Sequence, residues 1–88
     1  MSLTVEIVGP EGPLYEGDAE FVSAPAVEGS IGLYAGHEPI LAVLTGGTVA
    51  VKDLKGERIE MAVSGGFISL DHDDVTIVVD ESEHHRPL

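Results

Sequence analysis

Residues 48–79 read TVAVKDLKGERIEMAVSGGFISLDHDDVTIVV, and this stretch decides the fold. Short runs rich in β-branched residues alternate in it with turn residues, at Lys55-Gly56, Ser64-Gly65-Gly66 and Asp71–Asp74. Within Arg58–Val63 the larger apolar residues recur at every second position, which is typical of a strand with one buried face. The stretch therefore predicts four strands joined by tight turns, at Thr48–Leu54, Arg58–Val63, Phe67–Leu70 and Val75–Val79.

The residues before this stretch follow the same pattern. They predict four further strands, at Leu3–Val8, Glu20–Ala24, Ser30–Tyr34 and Ile40–Thr45. Residues 9–13 include two prolines, and because proline cannot donate a ladder hydrogen bond we expect this segment to be irregular. Ile40–Leu44 is apolar without interruption, so we expect this strand to be covered on both faces.

Together these runs predict an all-β protein, since no stretch of the chain repeats apolar residues with a helical period. The expected architecture is a flattened antiparallel β-sandwich or barrel of about 8–10 short strands. Residues 1–81 form one domain in this prediction, because no linker or internal repeat interrupts them. Residues 82–88 form a polar tail that we expect to be disordered.

Composition excludes several classes of function. Sixteen acidic residues stand against four basic ones, giving a net charge of −12. Phosphate backbones and anionic lipid surfaces repel such a chain, so we expect no nucleic-acid partner and no direct lipid insertion. The absence of cysteine excludes disulfides and thiol chemistry. The longest apolar runs fall far short of the roughly 20 residues that span a bilayer.

Few residues could carry chemistry. Ser64 precedes two glycines but lacks the Gly-x-Ser-x-Gly pattern of a nucleophile elbow, and neither glycine-rich phosphate-binding motif occurs. The segment Asp71–Asp74, which includes His72, offers ligands for a divalent cation, although aspartate is also a common turn residue between strands. We predict no catalytic residue, no metal and no cofactor. A free-standing ligand- or metal-binding β-sandwich that uses this turn is the alternative function.

Four segments in order along the chain resemble one known family. They are GPEGPLYEG at 9–17, VEGSIGLYAGHEPI at 27–40, LTGGTV at 44–49, and AVSGGF at 62–67 followed by VTIVVD at 75–80. Their order and spacing are similar to those of the N-terminal domain of the F-type ATP synthase epsilon subunit. The resemblance extends from Leu3 to about residue 81, and the β-sandwich fold that it implies agrees with the strand pattern.

The resemblance also implies a role. Members of this family are central-stalk subunits that contact the gamma subunit and the c-ring, couple proton transport to ATP synthesis and catalyse no reaction themselves. The implied location is the cytoplasmic face of the cell membrane, as a peripheral part of the F1 sector, and we expect the isolated chain to be a monomer. Carried over residue by residue, the loop Glu28, Gly29 and Ser30 would face the c-ring, and Gly9, His37 and Ala42 would face gamma.

The sequence departs from the family pattern in two places. Ala35 stands where a proline usually precedes the Gly-His pair, which leaves the φ angle of this loop position less restricted. Family members normally continue into a pair of C-terminal helices, whereas no helical segment follows the predicted sandwich here. The resemblance therefore implies a coupling role without inhibition of ATP hydrolysis by that helical arm. Residue pattern alone, without the resemblance, favours a solvent-exposed loop histidine at His37.

Overall fold

The computed structural model describes residues 2–80 and the backbone of residues 82–84. These residues form nine β-strands and no helix. The strands are β1 (Leu3–Gly9), β2 (Gly12–Ala26), β3 (Gly29–Tyr34), β4 (Ile40–Leu44), β5 (Gly47–Asp53), β6 (Arg58–Val63), β7 (Gly66–Asp71), β8 (Asp74–Val79) and β9 (Ser82–His84). The all-β prediction is confirmed, and none of the described segments forms a helix that could cross a membrane.

The strands form a single sheet that folds onto itself. Their order is β1-β8-β7-β4-β2-β5-β6-β9, with β3 paired to β2. The long strand β2 closes the structure, because its first half pairs with β1 and its second half pairs with β3 and β5. We call β1, β8, β7 and β4 the first layer, and β2, β3, β5, β6 and β9 the second layer. The domain is flattened, with principal extents of 33 × 29 × 22 Å.

The core lies between the two layers and is wholly apolar. Alternate residues of each strand point inward, as they must in a pleated sheet. In β1 these are Leu3, Val5 and Ile7, all of which are buried, and in β6 they include Met61 and Val63. No polar or charged side chain of residues 2–80 is buried. The buried face predicted for Arg58–Val63 is therefore confirmed at Met61 and Val63.

Two details of the predicted sheet were wrong. Strand pairing resumes at Gly12, so β2 starts well before the predicted strand at Glu20 and includes Pro13. The proline is tolerated because it pairs with Val8, where the register between β1 and β2 shifts and the regular ladder is interrupted. The sheet is also not entirely antiparallel, because β1, which joins the first layer to β2, lies parallel to β8.

The expectation that β4 is covered on both faces was also wrong. Its inner face, with Ile40, Ala42 and Leu44, contacts the core, but Leu41 and Val43 on the other face are 73% and 63% exposed. The apolar residues of β4 are thus of two kinds. Those on the inner face pack against the core, and those on the outer face are exposed.

The polar tail predicted at 82–88 is strand at its start. The backbone of β9 pairs antiparallel with β6, from Ser82 opposite Val63 to His84 opposite Met61. The remainder of the predicted tail, residues 85–88, lies outside the described residues.

Candidate functional site

The outer face of the first layer carries a row of apolar side chains that crosses all four strands. Val43 of β4 pairs with Phe67 of β7, Phe67 pairs with Val78 of β8, and Val78 pairs with Val8 of β1. Each of the four alternates with core residues on its own strand, so each points away from the core. We call Val8, Val43, Phe67 and Val78 the apolar row.

Two members of this row are exposed, while Val8 and Val78 are half-buried. Val43 is 63% exposed and Phe67 is 44% exposed, while Leu41 beside them on β4 is 73% exposed. Val27 is 65% exposed and adjoins the row, because its backbone N–H donates to the carbonyl of Val43 at 2.9 Å. Isolated exposed apolar residues are ordinary, but a contiguous group on one sheet face is typical of a protein interaction surface.

The same face becomes acidic toward its other end. Two residues along each strand from the apolar row, Leu41 lies in a row with Ser69, Thr76 and Glu6. Two residues further along, Asp71 pairs with Asp74. Thr4 lies beside Asp74 on one side and beside Asp18 on the other. We call Asp71, Asp74 and Asp18 the acidic row; Asp18 lies in the first half of β2, which pairs with β1 and continues this face. Like charges directly opposite each other in a sheet are unfavourable, so this row favours a partner that brings positive charge.

Basic residues of the described chain lie elsewhere. Lys52, Lys55 and Arg58 all belong to the hairpin between β5 and β6 in the second layer. Two of them already have acidic neighbours, since Lys52 Nζ lies 3.2 Å from Glu20 Oε1 and Arg58 Nε lies 2.6 Å from Glu60 Oε2. The outer face of the first layer is therefore apolar at one end and negative at the other, without a compensating cation among residues 2–80.

The three residues that the resemblance assigns to gamma occupy different parts of this face. Gly9 ends β1 next to Val8, at the apolar end. His37 lies in the loop before β4, at the acidic end, where the N–H of Gly36 donates to Asp73 Oδ1 at 2.8 Å. Ala42 lies between them on β4, but its side chain is half-buried and packs against the core. On this strand Leu41 and Val43, rather than Ala42, present side chains outward.

The loop assigned to the c-ring adjoins the apolar end. Glu28, Gly29 and Ser30 form the turn between β2 and β3 and the start of β3, and all three are exposed. Gly29 has a φ angle of +126°, a conformation that favours glycine, and this allows the tight reversal. Ala26 pairs with Leu44 at the base of this hairpin. The loop and the apolar row therefore occupy neighbouring surface.

The segment Asp71–Asp74 is the turn between β7 and β8. His72 and Asp73 both have positive φ angles, of 51° and 64°, as the two central residues of a tight hairpin turn require. Asp71 Oδ1 lies 2.9 Å from His72 Nδ1, and Asp73 Oδ1 accepts a hydrogen bond from the N–H of Gly36. Among the described residues no group of three or more His, Cys, Asp or Glu side chains is arranged to hold a metal ion. The metal-binding alternative thus gains no support from this turn.

One ionisable group stands out by its pKa. Burial raises the pKa of the Tyr15 hydroxyl, and the carboxylates of Asp53 and Asp18 raise it further. Tyr15 packs against the core at the junction of the two layers. Ser64, the nearest approach to a nucleophile motif, lies exposed in the turn before β7.

The sequence prediction missed the exposed apolar residues that define this face. In Ile40–Leu44 the side chains of the inner and outer faces are all apolar. The sequence therefore shows no alternation from which the exposed face could be predicted. Phe67 follows two glycines and was predicted to lie in a strand, but nothing in its neighbours shows which way its ring points. The available signal was the excess of apolar residues in β4 over the number that one face of a short strand can bury.

Comparison with known proteins agrees with the fold. Residues 2–85 match the family described as ATP synthase, Delta/Epsilon chain, beta-sandwich domain. Among solved structures, a chain of the Euglena gracilis mitochondrial ATP synthase (OSCP, F1 and c-ring) superposes with a TM-score of 0.87 at 23% identity, over 93% of this chain and 52% of that one. A chain of the Tetrahymena thermophila mitochondrial ATP synthase central stalk and c-ring gives 0.78 at 17% identity, over 94% and 66%. At these identities the likeness is one of fold.

Bacterial relatives are closer in sequence. The ATP synthase epsilon chain of Rhodococcus erythropolis is 45% identical over 82 residues, covering 92% of this chain and 67% of the relative. That of Halalkalibacterium halodurans is 43% identical over 83 residues, covering 93% and 61%. The chain thus spans about two thirds of the length of the relatives it matches. With a family match over nearly all of its residues, it belongs to the ATP synthase delta/epsilon chain family and comprises that family's β-sandwich domain.

Proposed function

We propose that this domain is a docking module of the ATP synthase central stalk. It binds the gamma subunit through the outer face of its first layer and rests on the c-ring through the Glu28–Ser30 loop. In this role it couples proton transport to ATP synthesis as a peripheral component on the cytoplasmic face of the membrane, and the reaction itself takes place on other subunits. The observation that carries the proposal is the exposed apolar row in a domain of this family.

The composition of the face supports docking on a protein. Specific interfaces have an apolar, aromatic-containing centre surrounded by polar residues. Here Phe67, Val43 and Leu41 form such a centre, and Glu6 with the acidic row lies on one side of it. The proposed contact extends along the face from Gly9 to His37. The side chain of Ala42 points toward the core, so in this proposal its neighbours Leu41 and Val43 make the contact on β4.

The position of the Glu28–Ser30 loop supports a second contact. The loop projects at the apolar end of the first layer, adjacent to the gamma-facing surface, so two partners could be held side by side. An exposed glutamate at its tip favours a basic partner loop, and such complementarity selects the partner and its register more than it raises affinity. A closed sheet with short connections is also suited to a rotor joint, since it can transmit torque without bending.

Binding to purified gamma tests the proposal. A double variant, Leu41→Ser with Val43→Thr, removes exposed apolar surface from β4 and leaves the inward residues of the strand unchanged. Burial of these two side chains at an interface is worth about 1.4 kcal/mol or more, so we expect at least a roughly tenfold loss of affinity by calorimetry. Because both side chains are exposed in the free domain, its melting temperature should change little.

A matched control lies on the other layer. Leu54 is 54% exposed in the hairpin between β5 and β6, far from the apolar row. Leu54→Ser removes a comparable side chain and should leave gamma binding unchanged. Equal affinities for the double variant and the parent chain would refute the assigned face. A parent chain that fails to bind gamma at all would refute the proposed function.

The c-ring contact needs a separate assay. In membranes reconstituted with ATP synthase lacking its epsilon chain, added domain should restore ATP-driven proton pumping. Glu28→Lys reverses the charge at the loop tip and should weaken this restoration, while Glu57→Lys, an exposed glutamate in the β5–β6 turn, gives the same charge change on the other layer. The same effect from both variants would show that net charge, and not the loop, is responsible.

A further inference from the structure

The turn between β7 and β8 has an aspartate at a position where glycine is usual. Two-residue hairpin turns with positive φ at both central positions usually have glycine at the second, because glycine adopts this conformation without steric cost. Here that position is Asp73, at a φ of 64°. Aspartate tolerates this conformation better than most residues, and the contacts around it hold it there.

The side chain of Asp73 forms a hydrogen bond with a residue that is distant in sequence. Its Oδ1 accepts a hydrogen bond of 2.8 Å from the backbone N–H of Gly36, 37 residues away. The backbone carbonyl of the same residue accepts from the N–H of Thr4, also at 2.8 Å. Asp73 thus joins three segments at the acidic end of the first layer: its own turn, the start of β1 and the loop that precedes β4.

Gly36 immediately precedes His37, so this bond acts on the loop that is expected to face gamma. Gly36 has a φ of +87°, and a Cβ at this position would meet no heavy atom within 4 Å. The loop therefore has little packing of its own at this point. Its remaining local bonds are short-range, from the N–H of His37 to the carbonyl of Tyr34 at 3.2 Å and between His37 Nδ1 and the carbonyl oxygen of Glu38 at 2.7 Å.

We propose that Asp73 is a positioning residue, whose carboxylate fixes the Gly36–His37 loop in the conformation that docks on gamma. The inference rests on the proposed function for its docking role, but the positioning itself concerns the free domain. Ala35, where the family resemblance leads us to expect a proline, makes a bond from outside the loop more important here. A loop that is already fixed before binding loses less entropy in the complex, so removal of the bond lowers affinity.

Three substitutions separate the side chain from the backbone. Asp73→Asn keeps an acceptor oxygen at the same place and, like aspartate, tolerates positive φ. Asp73→Gly keeps the backbone conformation and the bond from Thr4 but removes the acceptor. Asp73→Ala removes the acceptor and also strains the turn. If the side chain positions the loop, the asparagine variant should behave as the parent does, while the glycine and alanine variants should not.

Two measurements test this independently. By NMR, hydrogen exchange of the Gly36 amide should become about 3- to 10-fold faster in Asp73→Gly and stay near the parent rate in Asp73→Asn, as expected for the loss of one hydrogen bond. Calorimetric affinity for gamma should fall by a similar factor in Asp73→Gly, whereas the melting temperature should hold or rise because glycine relieves the turn. A stability defect alone would not produce weaker binding together with an unchanged melting temperature.

Each contrary result has a distinct meaning. An unchanged Gly36 exchange rate in Asp73→Gly would overturn the positioning role whatever gamma does. Faster exchange with parent-like affinity would overturn the claim that the loop must be fixed for docking, while the proposed function would stand. If the parent chain itself does not bind gamma, the docking role fails together with the proposed function, and the exchange data still decide whether Asp73 holds the loop.

Discussion

Replacement of Gly66 by alanine should disrupt the fold far more than replacement of any exposed glycine. Gly66 begins β7 with a φ of +135°, in a region that side chains rarely adopt. A Cβ built on it would overlap the backbone carbonyl oxygen of Val78 and would lie 2.9 Å from the carbonyl carbon of Val78 and from the Cα of Val79. All of these are backbone atoms of the neighbouring strand, so no side-chain rotation can relieve the overlap.

The size of the effect follows from two contributions. The backbone conformation alone costs about 1–3 kcal/mol for a residue other than glycine. Relief of the overlap requires β7 and β8 to separate at this end, which disturbs at least two ladder hydrogen bonds worth about 0.5–1.5 kcal/mol each. We therefore expect Gly66→Ala to lower the free energy of unfolding by about 4 kcal/mol. A domain of this size has roughly 4–13 kcal/mol in total, so the variant should lose about a third of its stability or more.

Gly12→Ala is the matched control, because Gly12 has a φ of +125° but no heavy atom within 4 Å of an added Cβ. It should show the conformational cost without the overlap. Urea denaturation followed by circular dichroism gives both free energies on the same scale. Gly66→Ala should be at least about 2 kcal/mol less stable than Gly12→Ala. Equal losses for the two variants would refute the argument that contact with the backbone of β8 makes glycine necessary at this position.

Three further predictions concern stability. Burial raises the pKa of Tyr15, so the folded state holds the hydroxyl proton more strongly than the unfolded state does. The associated stability is present below about pH 10 and is lost as pH rises through the folded pKa. Urea midpoints measured between pH 9 and 12 should therefore decline, and Tyr15→Phe should flatten this decline. Leu33→Ala removes a fully buried side chain and should cost about 2–5 kcal/mol in urea denaturation, whereas less than 1 kcal/mol would contradict the assigned core. Lys52→Ala breaks the pair with Glu20, whose side chains are both 48% exposed, and should shift the free energy of unfolding by less than about 1 kcal/mol, an amount that 1 M salt should reduce further.

The strands with one exposed polar face could be predicted from the sequence. In Arg58–Val63 the alternation of charged or small residues with Ile59, Met61 and Val63 shows both the strand and its inner face. In the structure Met61 and Val63 are buried and Ile59 is half-buried. Turn positions were equally clear where glycine or aspartate follows such a run. Local pattern was sufficient here because each residue's environment is determined by its own strand.

The remaining features depend on contacts between distant residues. The extension of β2 back to Gly12 is stabilised by β1, and the proline at position 13 is accommodated by a register shift that the sequence does not show. The parallel pairing of β1 with β8 joins the two ends of the domain, and no local pattern predicts it. The candidate surface belongs to this class too, because the apolar row exists only once four strands are aligned in register.

The motif Ser64-Gly65-Gly66-Phe67 shows how one segment serves both fold and surface. Gly66 lets β7 approach β8 closely, and the next residue, Phe67, then projects from the outer face between Val43 and Val78. The position of the aromatic ring therefore depends on the absence of a side chain beside it.

An exposed apolar row carries a risk of self-association, and the charge of the domain opposes it. Two copies that met through this face would bring together chains with a net charge of −12 each, with the acidic row next to the contact. A partner with basic residues around an apolar patch would instead be attracted electrostatically to the same surface. The charge therefore discriminates between a second copy and a basic partner without any change in the apolar centre. This explains why the excess of acidic residues is compatible with a docking role and why the isolated chain is expected to be a monomer.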